Sequence, residues 1–372
     1  MSGLYLHIPF CRKRCTYCDF HFSTTFENYR QDLIAALILE LSSRSRESQN
    51  PIQTIYFGGG TPSILSKSEL TQIFAAIHAH YRIVADCEIS FEVNPEDINQ
   101  ENLKVWNKVG INRLSIGLQT FSDADLHWMN RAHQVQQSLD GIKLAQEFGF
   151  DNISVDLIYG LPDQTLTDWE KSLEAVFNLG VQHLSAYCLT IEPKTALNHL
   201  VRKKKLQAAD EVLQSEQFLA LIAKAAFNGF EHYEISNFSL PGFHSKHNSS
   251  YWKFQPYIGI GPSAHSFDGK QRRWNISNNT MYTKSVAKNA NWFTVEALSP
   301  DELRNEQILL GLRTKWGLNL ANLASDFNPK ENAQIDEFAR LGWLVLEDQK
   351  IVLTNAGRLH ADGIAAALFR VA

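Results

Sequence analysis

The sequence predicts an α/β fold: an incomplete, open-sided (β/α)6 TIM-like barrel, followed by a small C-terminal winged-helix-like α+β domain. Three observations predict it. Short apolar runs rich in Val, Ile, Leu, Phe and Tyr alternate with amphipathic stretches of helix length through the first half of the chain. The segments of unusual chemistry fall just after those runs, where such a barrel presents its reactive groups. The chain then closes on short helical patterns and two β-rich runs around a polar turn.

Taken in order, the predicted strands are Leu4 to Ile8, Thr54 to Phe57, Glu88 to Val93, Arg113 to Gly117, Ile153 to Ile158 and His183 to Leu189. Their nearly continuous apolar character is that of parallel strands covered on a face by helices. Between them, Tyr29 to Leu41, Glu69 to Tyr81, Ser138 to Phe148 and Asp168 to Leu179 carry apolar residues at three- and four-residue spacing. Right-handed β-α-β crossovers curl such units into a barrel, and six units stop short of the eight that close one. Beyond residue 195 a helical pattern, Asp210 to Phe227, leads into a Gly-, His- and aromatic-rich stretch from Tyr233 to Phe267. From Pro300, helical patterns precede "GWLVLEDQKIVLT", a hairpin signal. The boundaries read from these changes are 1–195, 196–298 and 299–372.

Composition narrows the function. The chain is 44% hydrophobic and 20% charged, the balance of a soluble globular protein, and its net charge of −5 gives no general attraction to nucleic acid. The basic run Arg202 to Lys205 reads as a solvated connection. Neither a secretory signal nor an apolar run long enough to span a membrane is visible, which predicts a cytoplasmic protein. A winged-helix-like domain alone does not make a DNA-binding protein, because folds do not fix functions.

The stretch "HIPFCRKRCTYCDFHF" holds Cys11, Cys15 and Cys18, three of the five cysteines in the chain. In a reducing compartment such clustering points to metal or redox chemistry rather than disulfides. Two sites fit the spacing. His21 as a fourth ligand would make a structural Cys3His zinc site. Alternatively, three thiolates hold a [4Fe–4S] cluster and leave one iron open for a small molecule. Cys87 and Cys188 lie in predicted strands and read as core residues, Cys188 beside the expected ligand pocket.

The loop resembles that of the radical S-adenosylmethionine (SAM) proteins, whose CxxxCxxC holds a [4Fe–4S] cluster that chelates SAM at its open iron. "LYLHIPFCRKRCTYCDF", "YFGGGTPSIL", "FEVNP", "GINRLSIGLQTF", "MNRAH", "DLIYGLPDQT" and "LTIEP" resemble, in order, segments of the oxygen-independent coproporphyrinogen III oxidase family. The resemblance implies that Gly59, Gly60 and Thr61 touch the methionine end of SAM and that Glu92 accepts hydrogen bonds from it. It matches Gln119, Arg131 and Asp156 to positions contacting a second SAM, and Tyr5 and Tyr17 to aromatic contacts with the two SAM sites. Each has an ordinary structural reading beside it: a strand-to-helix turn for the glycines, an ion pair for Arg131, a helix cap for Asp156, core packing for Tyr5.

The oxidase pattern continues CxxxCxxCxC after a longer preceding segment, whereas here Phe20 takes the last cysteine's place and ten residues precede Cys11. Both departures argue against coproporphyrinogen III decarboxylation. "YEISNFSLPGFHSKHNSSYW" and "YIGIGPSAHSF" instead resemble the haem chaperones of the same family, and their HNxxYW element is His247 to Trp252. That resemblance implies haem bound at or near His247, with 196–298 as the haem-associated segment, and transfer to an acceptor apoprotein. His244 and His265 compete for the ligand role. The expected function is a haem chaperone carrying a cluster and SAM; the alternative is a radical SAM oxidative decarboxylase. A zinc-stabilised DNA-binding module is the third reading and leaves the barrel motifs unexplained. Membrane association through a partner leaves no mark in the sequence.

Overall fold

The computed structural model describes residues 2–370 except 49, 209 and 324. Six strands lie side by side in parallel: β1 (Ser2–Ile8), β2 (Ile52–Gly59), β3 (Ile83–Val93), β4 (Arg113–Gln119), β5 (Ile153–Tyr159) and β6 (His183–Cys188). Between them run α1 (Arg30–Ser43), α2 (Lys67–His80), α3 (Gln100–Lys108), α4 (Asp123–Trp128), α5 (Val135–Glu147) and α6 (Leu166–Phe177). These are the six expected units. Capping boxes at Ser66 and Thr165 fix the starts of α2 and α6, each satisfying backbone N–H groups that the first turn leaves unpaired.

Strand pleating separates two chemistries. Leu4, Leu6, Phe57, Phe91, Leu114, Val155 and Leu184 are buried in one apolar core with the helices. Their alternates, among them Tyr56, Ser90, Glu92, Ser115, Asp156 and Ser185, carry hydroxyls and carboxylates and point to the other face. The barrel interior is therefore polar along most of its depth.

Residues 231–297 build both ends of the sheet. After α7 (Ala196–Arg202) and α8 (Glu211–Phe227), the hairpin of β7 (Glu231–Glu234) and β8 (Asn237–Ser239) adds antiparallel to β6. The chain then crosses to the other end, where β9 (Tyr257–Ile260) pairs parallel with β1. Antiparallel β10 (His265–Phe267), β11 (Gln271–Asn275) and β12 (Phe293–Ala297) extend it to a twelve-stranded sheet. Six-unit periodicity could not foresee this, since β7 to β12 are short and carry no helical crossover pattern.

Two buried carboxylates hold these additions. Glu40 of α1, fully buried, accepts from Gly261 N–H (2.8 Å), Asn275 Nδ2 (2.8 Å), Tyr282 OH (2.6 Å) and Arg44 Nη1 (3.2 Å). Such a charge is tolerated because every lone pair finds a donor. Glu88 accepts from the backbone N–H groups of Lys246 and His247 (both 3.0 Å), seating α9 (Lys246–Trp252) against the middle of β3.

The last part has its own core around Ile308, Leu312, Ile335, Leu344, Ile351 and Ile364. It comprises α11 (Pro300–Leu312), β13 (Leu318–Asn319), α12 (Pro329–Arg340), the β14 (Leu344–Glu347)–β15 (Lys350–Leu353) hairpin, α13 (Asn355–Arg358) and α14 (Ala361–Ala367); α10 (Asn279–Ala287) precedes it. Helices with a small hairpin are the α+β unit expected there. It docks on β7 through Arg313, which pairs with Glu234 (3.3 Å) and Asp362 (2.8 Å), and through Lys315 with Glu231 (2.6 Å).

Candidate functional site

A cavity of about 1010 Å³ opens at the carboxyl ends of β2 to β6. Cys11, Cys15, Cys18, Tyr17, Gly59, Gly60, Thr61, Glu92, Gln119, Arg131 and Asp156 all line it. Residues spread over 146 positions of sequence thus meet in one place.

The cysteine loop is pinned on three sides. Cys11 N–H donates to Ser23 O (3.0 Å), Thr16 N–H to Met129 O (3.1 Å), and Thr61 N–H to Phe10 O (2.7 Å). Arg12 pairs with the buried Asp97. All three thiols are free, and burial pushes Cys11 up to about 11 and Cys18 up to about 12. Buried thiols of this kind ionise when a cation takes the proton's place. Thr61 Oγ1 donates to Cys11 Sγ and Arg131 Nη1 to Cys15 Sγ, each at 3.5 Å. Donors aimed at sulfur suit a thiolate-bound, electron-rich cluster.

The zinc alternative fits poorly. His21 directs Nε2 to Asn279 Oδ1 (2.7 Å) and packs against the His7 ring. Among the described residues no three His, Cys, Asp or Glu side chains converge on a single ion. Three thiols around a wide cavity suit a cluster of several irons better than one ion.

Glu92 and Asp156 supply the negative wall. Tyr56 OH donates to Glu92 Oε1 (2.8 Å) and Gly59 N–H to Oε2 (3.2 Å), yet burial still pushes this carboxyl up to about 7. Ser115 Oγ donates to both Asp156 oxygens (3.2 and 3.1 Å), and burial raises that group also. Carboxyls whose ionised form burial disfavours are suited to a cationic ligand, whose charge favours ionisation. Gln119 closes β4 with a positive φ of 73°, at a break in the β4–β5 register. Arg131 Nη2 donates to Asn94 Oδ1 and to Gly117 O, both at 2.9 Å, while its Nε is buried without a partner. Arg131 is therefore a fixed part of the wall rather than a surface ion-pair residue, and Asp156 sits mid-strand rather than capping a helix.

The glycines have a packing reason of their own. A Cβ on Gly60 would stand 2.6 Å from Phe10 O, and one on Gly59, whose φ is 110°, 2.6 Å from the His7 ring. The closest neighbours at those positions are the cysteine loop's own backbone and His7.

Two candidates lie elsewhere. Tyr5 faces a second, smaller cavity of about 260 Å³, with its hydroxyl 3.0 Å from His7 Nδ1. His247 is fully buried: Nδ1 meets Thr54 Oγ1 (2.8 Å), Nε2 meets Tyr251 OH (2.7 Å), and its ring stacks on Tyr56 at 5.1 Å. Burial holds it down to about 3, so it is neutral. As placed, neither nitrogen is free for an iron, and the packed-core reading of this histidine describes its surroundings. Trp252 turns the other way, beneath the Arg313 guanidinium.

Sequence reasoning missed Tyr56, Asn94, Ser115, Ser185 and Tyr187, which line the large cavity, and the α13–α14 segment Arg358 to Gly363, which walls its far side. The strand residues were signalled by polar side chains at alternate positions. The α13–α14 wall had no signal, since it comes from docking of the last unit.

A partial barrel with three cysteines, a glycine-rich turn and two carboxylates around one strand-end cavity defines a class, and the description of the Radical SAM superfamily matches residues 5–176. The HemN C-terminal domain matches residues 298–360. The chain belongs to the HemW family of radical SAM proteins. It is 32% identical to the heme chaperone HemW of Bacillus subtilis over 99% of both chains, and 35% identical to that of Synechocystis over 99% of this chain and 96% of the other. The solved coproporphyrinogen III oxidase HemN of Escherichia coli aligns with a TM-score of 0.84 at 24% identity, over 99% of this chain and 90% of that one, a likeness of fold. Membership of the superfamily implies a [4Fe–4S] cluster and SAM, and the cavity's donors fit both.

Proposed function

We propose that this protein is a haem chaperone: it binds haem at or near His247 and passes it to an acceptor apoprotein, with a [4Fe–4S] cluster on Cys11, Cys15 and Cys18 and SAM in the large cavity. The observation carrying this reading is the whole-length similarity to proteins named heme chaperone, against fold likeness alone to the oxidase. Phe20 in place of the oxidase's further cysteine points the same way. The cluster, when bound, supplies an open iron for chelation and electron transfer. Thr61 and Arg131 would donate to the thiolates of Cys11 and Cys15 that hold it, Glu92 and Asp156 would offer negative charge to the sulfonium of SAM, and Gly59 N–H holds Glu92 in place.

Among the described residues no helix is long and apolar enough to cross a membrane. We assign the protein to the cytoplasm.

The deciding experiment is anaerobic reconstitution with iron and sulfide, haem titration followed by absorbance, and incubation with an excess of an apo-haemoprotein. About four irons per chain, a Soret band and its transfer to the acceptor are expected. One zinc per chain and no Soret band would sink the reading. Conversion of coproporphyrinogen III to protoporphyrinogen IX under reducing conditions would replace it with the decarboxylase.

A further inference from the structure

The far side of the large cavity carries a positive charge that no side chain there neutralises by pairing. In that part the α13–α14 segment contributes Arg358, Leu359 and Asp362, and the main unit contributes Tyr187, Phe218 and Ile235.

Two arginines stand there, and they differ. Arg313 pairs with Glu234 and Asp362. The second oxygen of Glu234 is filled by Ser236 N–H (3.1 Å) and Asn237 Nδ2 (2.6 Å). Arg358 instead gives Nη1 to His232 Nδ1 (2.5 Å) and to Asn355 Oδ1 (3.4 Å). Among the described residues it makes no ion pair, and its Nε and Nη2 meet no hydrogen-bond partner. His232 is itself fixed: Nε2 donates to Ile235 O (3.0 Å), and the ring stacks on Phe238 at 4.1 Å. Burial holds it down to about 3, so it is neutral and Nδ1 accepts. A guanidinium oriented by a neutral imidazole keeps its charge and part of its donor fork for a ligand.

The rest of the lining narrows what that ligand is. Tyr187, at the end of β6, is 45% exposed, an aromatic ring open to the cavity. Glu92 and Asp156 make the strand-end wall negative, which suits a sulfonium and disfavours an anion, whereas Arg358 lies on the far wall. Glu192 and Glu211 also line the cavity, from the loop after β6 and the start of α8, and their carboxylates disfavour a multiply charged anion. At about 1010 Å³ the cavity stands at the upper end of single-ligand pockets, with room for a second molecule beside SAM.

We propose that the far side of this cavity is a second ligand subsite for an aromatic molecule bearing one carboxylate, with Arg358 as the anion anchor, His232 as the positioning residue behind it, and Tyr187 and Phe218 against the apolar body. The subsite exists only while the last unit is docked, because Arg358 reaches His232 across that junction. It goes beyond the haem-chaperone reading and is independent of haem.

The test is calorimetric titration of 2-naphthoate, uncharged 2-naphthamide and doubly charged 2-naphthyl phosphate into the full-length, cluster-reconstituted chain saturated with SAM, with no haem present. The wild type is expected to bind naphthoate about tenfold or more tighter than naphthamide, and naphthyl phosphate more weakly than naphthoate. Arg358→Gln should abolish the preference for naphthoate while leaving naphthamide and SAM affinity unchanged. His232→Asp, which puts a carboxylate oxygen where Nδ1 accepts, should abolish it too, although Arg358 is still present; circular dichroism checks folding of both. The wild-type comparison needs no variant: equal affinity for naphthoate and naphthamide, or no binding of either, would overturn the proposal. A preference that survives Arg358→Gln would also overturn it, as would naphthoate binding only when SAM is left out, which would make Arg358 part of the SAM site.

Discussion

Tyr56 donates its hydroxyl to Glu92 Oε1 at 2.8 Å, joining adjacent strands inside the barrel, and the His247 ring stacks behind Tyr56 at 5.1 Å. The haem-family motif on α9 thus touches, through one tyrosine, the carboxylate that the SAM resemblance singles out.

Glu92 should make SAM affinity depend on pH. Its folded carboxyl is pushed up to about 7 from 4.5, so folding takes up a proton between those values and this group's share of stability falls as pH rises through them. A sulfonium ligand prefers the ionised form, so affinity should rise from pH 6 to 8. Calorimetric titration of the reconstituted chain measures it. Glu92→Gln should flatten the profile, and Tyr56→Phe, which removes a bond favouring the carboxylate, should move its midpoint upward. A wild-type affinity constant across that range would refute the role.

Arg131→Lys should loosen the cluster. A lysine cannot reproduce the fork that reaches Asn94 Oδ1, Gly117 O and Cys15 Sγ together. Faster iron loss to a chelator and a more negative reduction potential are expected, because a cationic donor to sulfur favours the reduced cluster. Unchanged iron retention and potential would count against it.

Acid should destabilise the fold through buried neutral histidines. Burial first of all holds His7 down to about 4, His232 and His247 to about 3, and His183 well below its usual 6.5. The unfolded chain takes up protons below pH 6.5 that the folded one refuses, so stability falls as pH drops, by about 1.4 kcal/mol per unit for each such group. Urea midpoints at pH 7.5, 6 and 5 test this, and His247→Gln should reduce the slope.

Gly60→Ala should cost about 2 kcal/mol or more and lower cluster loading, since its Cβ would press on Phe10 O at 2.6 Å next to the cysteine loop. Gly363→Ala, with nothing within 4 Å and a helical position in α14, should instead gain up to about 1 kcal/mol. Melting temperatures of the pair compare them directly.

Arg313→Ala should loosen the last unit. It removes the cation paired with the buried Glu234, which keeps Ser236 N–H and Asn237 Nδ2 as donors, and the exposed pairing to Asp362, a loss of about 1–3 kcal/mol. Hydrogen exchange should quicken in α13 and α14 while β1 to β5 stay protected.

Much of the cavity lining was legible because a β/α barrel gathers its chemistry at and near the carboxyl ends of its strands, so position along the chain pointed to Cys11, Gly59, Glu92, Gln119 and Asp156 as candidates. Tyr56, Ser115 and Ser185 were also written there, as polar alternates in otherwise apolar strands, but an apolar-run reading passes over them. Tyr5 shows the limit of such reading. It matches an aromatic SAM contact, yet at its strand position it faces the smaller cavity beside His7.

The sequence by itself determined the six repeating units, the caps that start their helices and the cysteine spacing, because each depends on contacts within a few turns of chain. Only the tertiary structure decided that residues 231–297 would split between opposite ends of the sheet and that α13–α14 would close the cavity. It also decided that His247 would be enclosed while His265 stood open. Those outcomes depend on which distant surfaces meet, and no local pattern of residues encodes that meeting.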